Sequence, residues 1–171
     1  SERINYLNVE NLYSTIGSKG PLFCFLGHTD VVPSGPEELW DVNPFRPEVV
    51  NNYLIGRGSA DMKGAVATFL IAVKEFLDEN PTPNYRICVF LTSNEEGERS
   101  DGKIDKIIKD LQDKGEHIDY CLVGEASSSS KVADTIRLGR RGSLSGILKI
   151  KGKQGHVAYP EKVNNPIHLS G

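Results

Sequence analysis

The sequence predicts an α/β fold in which a mostly parallel β-sheet is covered by helices. Three short apolar runs indicate buried strands at residues 22–26, 87–91 and 120–123. Two segments with apolar residues at three- and four-residue spacing separate these runs and predict amphipathic helices. The alternation of strand and helix is typical of parallel sheets, because each parallel connection needs a crossover.

The first helical pattern covers residues 62–79 and ends at Asn80-Pro81, since proline does not continue a helix. Its apolar positions are Met62, Val66, Phe69, Leu70, Val73, Phe76 and Leu77. The second helix is shorter, and Gly115 is its predicted C-terminal cap. Its apolar positions are Ile104, Ile107, Ile108 and Leu111.

Composition excludes several classes of protein. The chain has 171 residues and a formal charge of −3, so it lacks the basic surplus of a general nucleic-acid binder. No apolar run approaches the roughly 20 residues of a membrane span. Three cysteines inside apolar runs (Cys24, Cys88 and Cys121) predict buried small hydrophobes in a reducing compartment, without disulfides. We therefore expect a soluble cytoplasmic protein.

The charge and the residue pattern of the chain change after the serines at 127–130. Residues 135–160 carry six positive residues and no acidic one, and residues 144–150 alternate imperfectly, as in a half-exposed strand. We therefore predict one domain over residues 1–135 and the first strands of a smaller α+β domain over residues 136–171.

Polar residues follow each of the three predicted strands, and ligands collect at this edge of parallel sheets. His28 and Asp30 follow the first strand on one face, Glu95 and Glu96 follow the second, and Glu125 follows the third. Two of these groups have an ordinary alternative. His28 with Asp30 is also typical of a surface histidine, and Glu95 with Glu96 is also typical of a solvated acidic loop. Glu125 is the most informative, because an ionised group at a buried strand end is costly unless it is paired or metal-bound.

Asp61 lies at the predicted start of the first helix, after the glycines at 56 and 58. It is either an N-cap or a carboxylate that bridges two cations, and one oxygen can serve each purpose. Together, the imidazole and the carboxylates fit a hydrolytic zinc, cobalt or manganese centre.

Four motifs in this order resemble the dinuclear zinc metallopeptidase family that contains succinyl-diaminopimelate desuccinylase, acetylornithine deacetylase, aminoacylases and carboxypeptidases. They are Gly27-His28-Thr29-Asp30, Asp61-Met62-Lys63-Gly64, Asn94-Glu95-Glu96-Gly97 and Val123-Gly124-Glu125. Two positions depart from the family pattern, where Ala126 replaces a proline and Asn94 an aspartate. The later motifs, around Arg140-Arg141 and Gly155-His156, most resemble the desuccinylase branch.

The resemblance implies a role for each site residue. His28, Asp61 and Glu125 would hold one zinc ion, and Asp61 would bridge to a second ion that Glu96 also binds. Asp30 would orient His28, and Glu95 would be the general base. A cis peptide bond is expected at Asp61-Met62.

The basic segment would belong to a lid domain that forms a homodimer. There His156 would stabilise the oxyanion in the partner subunit's site, and Arg140 would bind a substrate carboxylate, with Tyr159 a weaker substrate contact. For Arg140, a solvated sheet edge is the alternative. The resemblance assigns no metal to His117 or His168.

The implied reaction is hydrolysis of N-succinyl-LL-2,6-diaminopimelate to succinate and LL-2,6-diaminopimelate, with Co²⁺ able to replace Zn²⁺. The alternatives are deacetylation of acetylornithine or another N-acyl amino acid, or a non-catalytic metal-binding fragment. The chain spans about half of a typical family member and lacks a match to its C-terminal histidine ligand. We therefore expect this piece to bind one zinc well and a second weakly, and to turn over negligibly.

Overall fold

The computed structural model describes residues 1–6, 8–97, 103–139, 142 and 144–171. It divides into two compact units, Ser1–Thr135 and Ile136–Gly171. The assignment of these units to a catalytic domain and a lid domain stays a prediction.

The first unit contains a five-stranded sheet. In chain order its strands are β1 (Glu2–Tyr6), β2 (Val9–Ile16), β3 (Leu22–His28), β6 (Arg86–Thr92) and β7 (Tyr120–Val123), and a separate hairpin contributes β4 (Glu48–Val50) and β5 (Tyr53–Ile55). The sheet order is β1-β2-β6-β3-β7. The three strands predicted from the sequence are confirmed in position, and β3 runs parallel to both β6 and β7. The predicted burial is wrong for β7, which is exposed along its whole length because it lies at an edge of the sheet. Antiparallel β1 and β2, which the sequence reading missed, extend the sheet beyond β6.

Two helices connect the parallel strands, as predicted. Helix α1 (Gly64–Glu79) joins β5 to β6, and α2 (Lys103–Asp113) joins β6 to β7. Helix α1 begins two residues later than predicted, because Asp61 and Met62 have non-helical torsions inside the turn Ser59–Lys63. The Asn80 N–H donates to the Phe76 carbonyl and closes the helix before Pro81.

Alternate side chains of β3 face opposite layers, because successive residues of a strand point to opposite sides of the sheet. Phe25 stacks on Phe69 of α1, with ring centroids 4.2 Å apart. On the other face, Leu22 and Cys24 are buried in a cluster with Ile107 of α2. The core therefore lies on both faces of β3, and its last residue, His28, is 1% exposed.

The prediction that all three cysteines are buried is wrong for one of them. All three are free, and Cys24 and Cys88 are buried, but Cys121 is exposed. Cys121 lies on β7, which is one of the two outer strands of the sheet, so fewer side chains cover it.

The predicted strand at residues 144–150 is also wrong. These residues have no regular secondary structure, and Leu144, Ile147 and Leu148 are exposed. A strand needs a neighbour to accept its hydrogen bonds, and the described part of this unit pairs only Lys153 with Asn164. The unit otherwise contains a 3₁₀ turn (Pro160–Lys162) and the short helix α3 (Pro166–Ser170).

No helix among the described residues combines the length and the apolar character that crossing a membrane requires.

Candidate metal centre

The carboxyl ends of the three parallel strands meet at one edge of the sheet. His28 is the last residue of β3, Glu95 and Glu96 follow β6, and Glu125 follows β7. Asp61 comes from the turn that precedes α1. Hydrogen bonds also tie the ends together, since the Thr29 N–H donates to the Thr92 carbonyl at 2.8 Å.

The two ring nitrogens of His28 have different surroundings. Nδ1 lies 3.0 Å from the main-chain carbonyl of Asp30, which only accepts hydrogen bonds, so Nδ1 carries the proton. Nε2 faces acidic oxygens, 2.9 Å from Asp61 Oδ1 and 3.6 Å from Glu125 Oε1. The nitrogen left without a proton in the neutral ring is therefore the one that the carboxylates surround.

The acidic groups around His28 also affect its pKa. Burial by itself lowers this pKa, because it disfavours the charged ring. The hydrogen bond to the Asp30 carbonyl and the nearby carboxylates of Asp61, Glu125 and Asp30 outweigh burial, so the pKa is raised. The surroundings of this buried ring thus favour positive charge.

Asp30 connects two of the strand ends. Its carbonyl accepts from His28, whereas its carboxylate accepts the main-chain N–H groups of Glu95 at 3.1 Å and Glu96 at 2.9 Å. The carboxylate is also 3.5 Å from His28 Nδ1. Asp30 therefore contacts the ring mainly through its main chain and holds the glutamate turn through its side chain.

Two sets of potential ligand atoms converge within 4.8 Å of one another among the described residues. One set is His28, Asp61 and Glu96, and the other is His28, Glu95 and Glu125. The set that the resemblance implies for one ion, His28, Asp61 and Glu125, is not among them, although Nε2 approaches both carboxylates. Adjacent Glu95 and Glu96 join different sets.

The donors fit a divalent metal. Ligands of one zinc ion lie about 2.0–2.2 Å from it, so two of them are at most roughly 4.4 Å apart. His28 Nε2 meets that limit with both Asp61 and Glu125. A mixed imidazole and carboxylate set suits zinc and related hydrolytic metals.

Comparison with known proteins agrees with this chemistry. Residues 24–167 match the family model described as peptidase family M20/M25/M40. The chain belongs to this family.

Relatives and a solved structure extend the comparison. The chain is 51% identical over 170 residues to succinyl-diaminopimelate desuccinylase of Nitrosomonas eutropha, covering 99% of this chain and 45% of the relative. It is 52% identical over 168 residues to the enzyme of that name from Halorhodospira halophila, covering 98% and 44%. An M20 family metallo-carboxypeptidase from Sulfolobus solfataricus superposes with a TM-score of 0.57 at 26% identity, covering 68% of this chain and 26% of that one. The chain thus spans less than half the length of these curated relatives.

Within this M20 chain, the peptide bond between Asp61 and Met62 is cis, as expected. The substrate contacts expected from the second unit remain predictions. His156 and Tyr159 are exposed, with ring centroids 6.0 Å apart. Arg140 lies outside the described residues. His117 and His168 are exposed, and their exclusion from the ligand set also stays a prediction.

The sequence reading missed two residues that support the site. Met62 is fully buried beside the main chain of His28, whereas its spacing had indicated only the apolar stripe of α1. Arg57 lies 5.0 Å from the Trp40 ring and donates to the Ser34 carbonyl, which ties the chain before Asp61 to the loop after β3. The position of Arg57 between two glycines near Asp61 is the signal that could have indicated it.

Proposed function

We propose that the protein to which this chain belongs is a metal-dependent amide hydrolase that converts N-succinyl-LL-2,6-diaminopimelate and water to succinate and LL-2,6-diaminopimelate. The observation that carries the proposal is the buried Nε2 of His28, which faces carboxylates from separate loops. About half of the residues are identical to those of succinyl-diaminopimelate desuccinylases over nearly the whole chain. This similarity supports the succinylated substrate over the other substrates of the family.

His28, Asp61, Glu96 and Glu125 are the proposed metal ligands, for two zinc ions in the complete site, with Co²⁺ as a substitute. A bound ion of this kind lowers the pKa of water and polarises the amide carbonyl. The proton on Nδ1 of His28 keeps Nε2 available, because the Asp30 carbonyl holds that proton.

Glu95 is the proposed general base. Its ligand atom lies in the same 4.8 Å set as those of His28 and Glu125, and its main-chain N–H is fixed by Asp30. It takes a proton from the attacking water while the water oxygen bonds to the amide carbon. When the carbon–nitrogen bond breaks, the same proton passes to the leaving amine.

The remaining roles concern the second unit and the assembly. His156 would stabilise the oxyanion in the partner subunit, and Arg140 and Tyr159 would contact the substrate. These assignments rest on the resemblance of the motifs, which also supports a homodimer. A cytoplasmic location would match a biosynthetic reaction on a small soluble substrate.

The test is succinate release by the full-length protein carrying Glu95→Gln. The amide keeps the shape of the side chain and removes the base, so kcat should fall by about 10²–10⁴-fold. Glu79→Gln, at the exposed end of α1, is the matched control and should leave kcat unchanged. Undiminished turnover in the Glu95 variant would contradict the role of the base. Faster turnover of an acetylated than of a succinylated substrate by the wild type would contradict the substrate.

A further inference from the structure

Met62 is buried next to the candidate metal centre, in contact with the main chain of His28. It follows Asp61 in the chain and is fully buried, although the Asp61 side chain is 57% exposed. Its torsions are non-helical, so its side chain does not follow the apolar stripe of α1. Met62 instead reaches the carboxyl end of β3.

The thioether sulfur accepts a hydrogen bond from the main chain of a ligand. The His28 N–H lies 3.3 Å from Met62 Sδ. Pairing between β3 and β7 ends at Leu26 with Val123, and the Gly124 N–H donates to the Leu26 carbonyl. Because alternate residues of a strand direct their N–H groups to the same side, the His28 N–H points past the end of β7. The sulfur thus takes the place that a carbonyl of a longer β7 would occupy.

Two glycines provide the space for this side chain. A Cβ atom at position 27 would lie 2.8 Å from Met62 Cε, and one at position 124 would lie 2.7 Å from the same atom. Gly27 precedes His28, and Gly124 precedes Glu125. The methyl group therefore packs against the residues before two candidate ligands, and the main chain of Met62 continues from a third, Asp61.

We propose that Met62 is a positioning residue of the metal centre, which sets the relative placement of His28, Asp61 and Glu125 through its sulfur and its methyl group. This inference rests on the proposed function, since it presumes that these residues bind metal. An ordinary core methionine contributes volume alone, and leucine replaces it with little loss. A positioning methionine contributes an acceptor that leucine lacks.

The experiment compares Met62→Leu with wild type in this 171-residue chain. Zn²⁺ affinity is measured by calorimetry, and exchange of the His28 N–H is measured by NMR without metal. Leu111→Met is the matched control, because it replaces leucine with methionine in the buried cluster that contains Leu22 and Ile107. We expect Met62→Leu to keep the circular dichroism of the wild type, to lose about tenfold to a hundredfold in Zn²⁺ affinity, and to exchange the His28 N–H faster. Leu111→Met should match the wild type in all three.

A second measurement covers the case in which Met62→Leu does not fold. Met62 is the only methionine of the sequence, so methyl-¹³C-methionine gives one internal signal in the wild-type chain. That signal should shift as Zn²⁺ is added and stop shifting at the calorimetric stoichiometry. An unmoved methyl signal would overturn the inference.

The outcomes separate this inference from the proposed function. Wild-type Zn²⁺ binding together with unchanged affinity and unchanged His28 exchange in Met62→Leu would overturn the role of Met62 alone. Absence of Zn²⁺ binding by the wild-type chain would overturn the metal centre, and this inference with it.

Discussion

At the scale of single residues, Asp30 has two roles, one carried out by its main chain and the other by its side chain. The carbonyl orients the His28 ring, while the two carboxylate oxygens each accept one N–H of the Glu95-Glu96 turn. Hydrogen bonds to an ionised acceptor are roughly twice as strong as neutral ones. The carboxylate therefore fixes the proposed base and a proposed ligand relative to β3.

Asp30→Asn tests this division in the full-length protein. Asparagine offers one acceptor oxygen and places an NH₂ group against the other main-chain N–H, so the glutamate turn should loosen while the carbonyl still orients His28. We expect kcat to fall by about tenfold to a hundredfold with KM little changed. Steady-state kinetics measures both, and exposed Asp41→Asn is the control. A variant with wild-type kcat would show that the carboxylate does not position the turn.

At the scale of elements, the loop after Glu125 is organised by one carboxylate. Asp134 accepts the main-chain N–H groups of Ser129, Ser130 and Lys131, at 2.8–3.0 Å. These bonds lower the pKa of Asp134, with the bond from Ser129 the largest cause. The loop connects a candidate ligand to the end of the first unit.

The lowered pKa of Asp134 gives this loop a defined pH dependence. A carboxylate with a lower pKa in the folded than in the unfolded chain contributes its full stabilisation above the unfolded value, about 3.9. That contribution is lost as the pH falls below this value towards the folded pKa. Amide signals of the folded chain follow the folded pKa, so we expect those of Ser130 and Lys131 to stay constant through pH ~4, where a free aspartate titrates, and to move only at lower pH in NMR spectra. In Asp134→Asn this movement should disappear; if it persists, another group controls the loop.

The sequence predicted those strands and helices whose characteristic residue pattern lies within one short segment of the chain. The apolar runs of β3, β6 and β7 and the spacing in α1 and α2 are each contained in one short segment. Strand β2 is different, because it buries polar Asn11 between Val9 and Tyr13. The Asn11 Nδ2 donates to the Ile4 and Val9 carbonyls, and only the folded hairpin with β1 supplies the former. The strand expected at residues 144–150 failed for the same reason, since pairing is not a property of one segment.

At the scale of the whole molecule, the candidate site combines local chemistry with long-range contacts. Spacing and residue type indicated His28, Asp61, Glu96 and Glu125 as candidates, and the resemblance of the motifs supplied their proposed roles. They could not show that the Asp30 carboxylate holds the glutamate turn, because 65 residues separate Asp30 from Glu95. Nor could they show that the Met62 sulfur meets the His28 N–H, 34 residues away. Such contacts depend on how β3, β6 and the turn before α1 pack together.

The most direct test of the metal centre is a zinc anomalous difference map from crystals of this chain grown with Zn²⁺. We predict a peak about 2.0–2.2 Å from His28 Nε2 and from a carboxylate oxygen of Asp61 or Glu125. Zinc peaks confined to other groups, such as exposed His117 or the Cys121 thiol, with none at His28, would contradict the account.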